Sequence, residues 1–219
     1  MAVQIKIRSF EVGPVLTNCY VVYNDSTKEA VLIDPGAEPK VILKFLADNT
    51  LNLKFILNTH GHPDHIGANQ EIKNKYPDAP LCIHAEDSLF LTSKQALLTM
   101  LFGLKYGSPP ADRLLREGEE ITITGLTLSV IHTPGHTPGG ISLLGKEFIF
   151  TGDTLFYDSI GRSDLPGGDQ KTLIDSIRNK LFILDKNLKV YPGHGIKTTI
   201  GRDFSENPYI NINDKSNNI

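Results

Sequence analysis

Residues Thr59-His60-Gly61-His62-Pro63-Asp64-His65 place four metal-binding side chains in seven positions, directly after an apolar run, 53–57, that reads as a strand. His60 and His62 lie two apart in extended chain, so their imidazoles project the same way and can share one cation. Asp64 and His65 follow Pro63, which suits the first turn of a helix and can aim them toward a second cation beside the first. Desolvating imidazoles and carboxylates is costly unless something compensates, and this separates a metal pocket from a solvated polar loop.

The same arrangement recurs at three later strand ends, in Thr133-Pro134-Gly135-His136, Thr151-Gly152-Asp153 and Pro192-Gly193-His194. Their glycines let the backbone approach a ligand closely. Five imidazoles and two carboxylates result. They divide into His60, His62 and His136 for one metal and Asp64, His65 and His194 for a second, with Asp153 bridging. Nitrogen and oxygen donors without thiolate suit two divalent ions, with Zn²⁺ the first expectation and Fe or Mn also accommodated. Asp34, in Asp34-Pro35-Gly36, reads first as a turn cap and second as a carboxylate beneath the histidines. His84 and His132 read as structural.

The elements that must position these residues alternate. Residues 3–12, 18–23 and 30–33 read as a strand meander, 39–48 as a helix with apolar Val41, Ile42, Phe45 and Leu46, and 66–76 as a second helix. Residues 80–84 form a short strand. Residues 86–113 form an apolar helical segment, read as core or dimer contact rather than a substrate lid. Residues 119–133 return to β with a turn at Thr124-Gly125, 141–144 and 147–150 form a hairpin, 172–184 a helix and 189–191 a strand. One domain over 1–210 is expected, followed by a polar tail at 211–219 that frays.

With 219 residues, 40% of them apolar and 21% charged, the chain can bury a substantial core. Its net charge of −3 is spread without a basic cluster, which argues against a nucleic-acid surface. Cys19 and Cys82 sit in apolar strand-like runs and read as buried thiols rather than a disulfide. No apolar run approaches the ~20 residues that span a bilayer. Without a signal-peptide pattern, the expected address is the cytoplasm.

The order and spacing of His60-Gly61-His62-Pro63-Asp64-His65, Thr133-Pro134-Gly135-His136, Thr151-Gly152-Asp153 and Pro192-Gly193-His194 resemble the metallo-β-lactamase superfamily. The resemblance runs from Leu32-Ile33-Asp34-Pro35-Gly36 to Gly195. It implies an α/β fold, a four-layer αβ/βα sandwich of two mixed sheets with helices on the outer faces. His65 together with Asp153 looks like the glyoxalase II type of binuclear site, whereas true β-lactamases usually lack one of the two. Two departures bear on substrate: hydroxyacylglutathione hydrolases carry a further helical domain that grips glutathione, and Ser159-Ile160-Gly161-Arg162 only partly matches their Gly-Cys-Gly-Arg segment.

The chemistry implied is hydrolysis. Two cations sharing a water lower its pKa from ~15.7 to about 7, and the resulting hydroxide attacks a carbonyl carbon. Asp64 would orient it or take its proton. A thioester suits the site, since a thiolate with pKa ~8.5 leaves without an acid. Tyr157 and Arg162 are candidate contacts to a small-molecule substrate, with loop packing or an ion pair to Asp164 or Asp169 as the competing role. A mononuclear iron persulfide dioxygenase and a non-catalytic metal-binding scaffold are the alternatives.

Overall fold

The computed structural model describes residues 4–92 and 108–211. Strands β1 (Ile5–Val12), β2 (Thr17–Asn24) and β3 (Glu29–Ile33) form the expected antiparallel meander. Helix α1 (Pro39–Asp48) opens on Pro39, whose missing N–H costs nothing in a first turn. It crosses over to β4 (Asn52–Leu57), which lies parallel to β3. Short helices α2 (Pro63–Ile66) and α3 (Asn69–Lys75) then lead to β5 (Leu81–His84). After α4 (Ser88–Thr92), β6 (Arg113–Leu115) completes a six-stranded sheet ordered β1 to β6.

The second sheet collects β7 (Glu120–Ile123), β8 (Leu126–His132), β9 (Ile141–Leu144) and β10 (Phe148–Gly152). A small hairpin of β11 (Leu155–Phe156) and β12 (Ser159–Ile160) follows. Helix α5 (Gln170–Ser176), strands β13 (Lys189–Pro192) and β14 (Thr198–Thr199), and helices α6 (Ile200–Glu206) and α7 (Pro208–Asn211) end the described chain. The sheet order is β14-β13-β10-β9-β8-β7.

Strand periodicity sorts the apolar residues into layers. In β2 all eight residues are buried, and alternate ones face opposite ways. Cys19, Val21 and Tyr23 pack with Ile42, Leu46 and Ile72 beneath the first helices. Tyr20 and Val22 instead meet Leu128, Val130, Leu143 and Phe150 of the facing sheet. Beyond that sheet, Ile149 and Val190 pack on Leu173, Ile177 and Ile200. Helix, sheet, sheet and helix are thus stacked in the αβ/βα order. Cys19 and Cys82 are buried free thiols in different cores.

Several boundaries differ from expectation. The helix read over 66–76 is broken, because Ala68 donates its N–H to the Pro35 carbonyl and the chain restarts at Asn69. The helix read from 172 begins at Gln170, where Asp169 caps it by accepting the Thr172 N–H. Of the apolar segment read over 86–113, Ser88–Thr92 is helical and Arg113 already belongs to a strand, with Leu115 fully buried between the sheets. Residues 93–107, and the tail over 212–219, lie outside the described residues. The strands β6 and β14 are too short to show a period. Among the described residues no helix is long and apolar enough to cross a membrane.

Candidate metal centre

Strands β8 and β10 both run antiparallel to β9, and β13 runs parallel to β10, so the carboxyl ends of β8, β10 and β13 share one edge of their sheet. The loops leaving them carry His136, Asp153 and His194. The loop after β4, in the facing sheet, meets them there with His60, His62, Asp64 and His65. All seven side chains are brought to one place, in groups His60/His62/His136, His60/His65/Asp153 and Asp64/His65/His194 whose donor atoms lie within 4.8 Å of one another.

The spacings fit cations rather than hydrogen bonds. His65 Nε2 lies 3.4 Å from Asp64 Oδ2, 3.3 Å from Asp153 Oδ1 and 3.4 Å from His194 Nε2. His194 Nε2 is 3.2 Å from Asp64 Oδ2 and 3.5 Å from Asp153 Oδ2, and His136 Nε2 is 3.5 Å from that same oxygen. Charge-assisted hydrogen bonds run about 2.7–2.9 Å. Ligand bonds of about 2.1 Å in a tetrahedron give edges of roughly 3.4 Å instead. Moreover, His60 Nε2, His62 Nε2, His136 Nε2 and Asp153 Oδ1 are buried without a hydrogen-bond partner, which a native interior tolerates only where something else satisfies them. Two divalent ions fit this set.

The outward nitrogens show why the inward ones are free. His65 Nδ1 donates to Asp34 Oδ2 at 3.0 Å, His136 Nδ1 to the Arg162 carbonyl at 2.6 Å and His194 Nδ1 to the Val15 carbonyl at 3.1 Å. The Thr59 hydroxyl spends its one proton on Asp34 Oδ2, at 2.7 Å, so His60 Nδ1 must donate to Thr59 Oγ1 across 3.2 Å. At His60, His65, His136 and His194, Nε2 is then the nitrogen left to face the cage. Asp34 is therefore the carboxylate beneath the histidines and not merely a turn cap, and it also accepts the Thr59 N–H. Gly193 is required beside His65 and Asp153, since a Cβ there would strike Asp153 Oδ1 and lie 2.8 Å from His65 Cε1.

Residues 12–194 match the sequence profile of the metallo-beta-lactamase superfamily. The chain belongs to that superfamily. A hydroxyacylglutathione hydrolase, GloC, of Haemophilus influenzae is 39% identical over 202 residues, covering 89% of this chain and 92% of the relative. Among solved structures, the BLEG-1 B3 metallo-beta-lactamase is 39% identical with a TM-score of 0.87, over 94% of this chain and 99% of that one. TTHA1623, solved in a di-iron-bound form, is 37% identical with a TM-score of 0.81, over 92% and 99% of the two chains. Superfamily membership and the His/Asp cage make the protein a metallo-hydrolase.

The superfamily's cage is electrostatically uneven here. Burial, then His65, holds the His60 imidazole well below the ordinary histidine value, and burial, then His136, lowers His62 to about 3. Burial would lower His65 and His194 too, but Asp64 and Asp153 outweigh it, and Asp34 adds to the effect on His65, so both rise. Burial would raise Asp64 and Asp153; His65 and His194 pull Asp64 down to about 2 and Asp153 well below the carboxylate range. In the metal-free protein the carboxylates thus favour the protonated form of His65 and His194, which competes with a cation, whereas burial favours the neutral form of His60 and His62. On going from about pH 8 to about pH 7, affinity for an ion at Asp64/His65/His194 is expected to fall more steeply than at His60/His62/His136, because protons compete at the raised histidines. Zinc titration at both pH values, with proton release followed in weak buffer, checks this; equal pH dependence at the two halves would contradict it.

The remaining candidates divide. Arg162 lines the cavity of about 300 Å³ over the metal centre, with its guanidinium held by both oxygens of Asp164 at 2.8 and 2.7 Å. Tyr157 is not brought to that cavity; it packs under Arg202, 3.7 Å from the ring centroid, because the β11–β12 turn carries it outward. His84 and His132 stack at 4.1 Å. Although Glu86 completes a fourth group of donor atoms with them, His84 Nδ1 accepts the Glu86 N–H, so its other nitrogen carries the proton and offers no lone pair. His132 donates from Nε2 to the Pro138 carbonyl and is structural. A wider groove of about 980 Å³, by Ile5, Phe148 and Tyr191, is lined by no histidine or aspartate and carries none of this chemistry.

Two contributors escape a sequence reading. Asp87, fully buried, accepts hydrogen bonds from Gly61 N, Thr137 Oγ1 and Gly139 N at 2.9, 2.8 and 2.6 Å, tying the His60–His62 loop to the His136 loop. Its signal was a carboxylate just past a strand end, as at Asp34 and Asp153. Thr17 donates to Asp64 Oδ2 at 2.9 Å and leaves no such signal.

Proposed function

We propose that the protein is a binuclear thioester hydrolase of the glyoxalase II type, acting on S-lactoylglutathione or a related acyl-thiol. The observation that carries this reading is a complete double cage over which, among the described residues, no proton donor for a leaving group stands. Among the described residues the cavity lining comprises His62, Asp64, His136, Asp153 and His194 of the cage, apolar Val15, Phe156, Ile160 and Leu165, and an Arg162 already paired with Asp164, with no lysine, tyrosine or further histidine. An amine or alkoxide leaving group needs a donor, whereas a thiolate, with pKa ~8.5, does not. The 39% identical GloC relative supports the same substrate class.

His60, His62 and His136 would hold one ion and Asp64, His65 and His194 the other, with Asp153 shared between them. When bound, two divalent ions supply Lewis acidity that brings the pKa of a water to about 7 and polarises a carbonyl. Asp64, a carboxylate at neutral pH and part of the cavity wall, orients the attacking water and accepts its proton. The apolar wall excludes bulk water and seats the acyl portion. Arg162, at the mouth, can exchange Asp164 for a substrate carboxylate.

Metal analysis of the purified protein with three assays tests the proposal. Two ions per chain and S-lactoylglutathione turnover at about 10⁴ M⁻¹s⁻¹ or more in kcat/KM are expected, with a β-lactam near background. One iron per chain, with oxygen consumed on adding glutathione persulfide, would replace this reading by the dioxygenase.

A further inference from the structure

The turn between β1 and β2 belongs to the first sheet, yet it grips the loop that carries His194 in the second. Asn18 N–H donates to the Gly193 carbonyl at 2.7 Å, and the Asn18 side chain to the Pro192 and Gly195 carbonyls at 3.0 and 2.9 Å. The Tyr20 hydroxyl donates to that same Pro192 carbonyl at 2.7 Å, and Thr17 pairs with His194 as an isolated antiparallel bridge. Leu16 sits between Val15 and Thr17 at φ 56°, a left-handed conformation that a leucine keeps only where surrounding contacts enforce it. On either side of it are two contacts to the second half of the cage. The Val15 carbonyl accepts His194 Nδ1–H, and the Thr17 hydroxyl, fully buried, reaches Asp64 Oδ2.

That oxygen is the one lying 3.4 Å from His65 Nε2 and 3.2 Å from His194 Nε2. Among the described residues, Thr17 supplies the hydrogen bond that reaches the Asp64 carboxylate from a residue outside the cage. We infer that Thr17 is a positioning residue for the second metal alone: its hydroxyl fixes the carboxylate rotamer of Asp64 while the same turn fixes the tautomer of His194. Among the described residues the turn's hydrogen bonds to the cage go to Asp64 and His194 and not to His60, His62 or His136, so the first half should not sense them. The inference rests on the binuclear reading above and deepens it, by naming what sets the occupancy of one half.

Thr17→Val removes the hydroxyl and keeps the shape, and Thr17→Ser keeps the hydroxyl and removes a methyl. The readout is Zn²⁺ titration against a competing chelator, with Co²⁺ absorption as an independent signal of each equivalent bound. The wild-type chain is expected to take two equivalents. Thr17→Val should bind the first within about threefold of wild type and the second about 10–100-fold more weakly, the range for removing a hydrogen-bond partner of a ligand. Thr17→Ser should restore the second to within about threefold. Should the valine perturb folding, Thr17→Ala compared with Thr17→Ser asks the same question. Two full-affinity equivalents in Thr17→Val, equal weakening of both, or a serine no better than the valine or alanine would overturn the proposal. A wild-type protein that takes one equivalent would instead refute the binuclear reading, and this inference with it.

Discussion

Alanine at Asp153 is expected to empty both halves of the cage and abolish turnover. The Asp153 carboxylate is the group that spans them, with Oδ1 3.3 Å from His65 Nε2 and Oδ2 3.5 Å from both His136 Nε2 and His194 Nε2. Without it each ion loses a ligand, and the histidines are left facing one another with one fewer negative charge between them. Lewis-acid stabilisation of developing charge is worth several kcal/mol, and each ~1.4 kcal/mol is tenfold, so kcat/KM should fall by roughly three orders of magnitude. Elemental analysis should show well under one ion per chain. Asp153→Asn keeps the shape and one carbonyl oxygen, and should retain more metal than the alanine variant but no more than a small share of activity. Undiminished hydrolysis by Asp153→Ala would refute the bridging role outright.

The second large effect is expected at Asp87, through stability. Its carboxylate satisfies two backbone N–H groups and one hydroxyl, all of them in buried residues. Thr137 and Gly139 flank the loop of His136, and Gly61 stands between His60 and His62. Asp87→Ala leaves three donors unpaired at about 1–3 kcal/mol each, a total of roughly 3–5 kcal/mol once some find water. Domains are stable by only about 5–15 kcal/mol. For a chain of this length the melting temperature should drop by about 10–15 °C. Metal binding should suffer in the opposite sense to Thr17→Val: the His60/His62/His136 half is weakened and the Asp64/His65/His194 half is largely kept. Calorimetry and metal titration on one preparation give both numbers, and an unchanged melting temperature would show that the loops hold each other without Asp87.

Much of the centre was legible in the chain because its signals are local. A strand that runs out into a Gly-rich turn bearing a histidine or aspartate announces itself within a few residues, and all four such turns are at the metal. The helix over 39–48 was equally plain, since its apolar spacing and Pro39 agree. Where readings failed, the deciding contacts were distant in sequence. Asp34 looks like a turn residue until Thr59 and His65 are folded over it, and Asp87 looks like part of an apolar helical stretch until Gly61 and Gly139 come to its oxygens. Tyr157 follows the Asp153 loop closely, yet two residues of hairpin turn its ring away to Arg202.

The sequence by itself therefore determined which seven side chains gather at one site and the alternation of α and β layers, because donor type and hydrophobic period are properties of short segments. Only the tertiary structure decided which nitrogen of each histidine faces the cage, which buried carboxylates hold the loops, and that a turn of the first sheet anchors Asp64 and His194. Those depend on hydrogen bonds closed across separations such as Thr17 to Asp64 and Val15 to His194, and no local pattern encodes a partner that folding alone brings within reach.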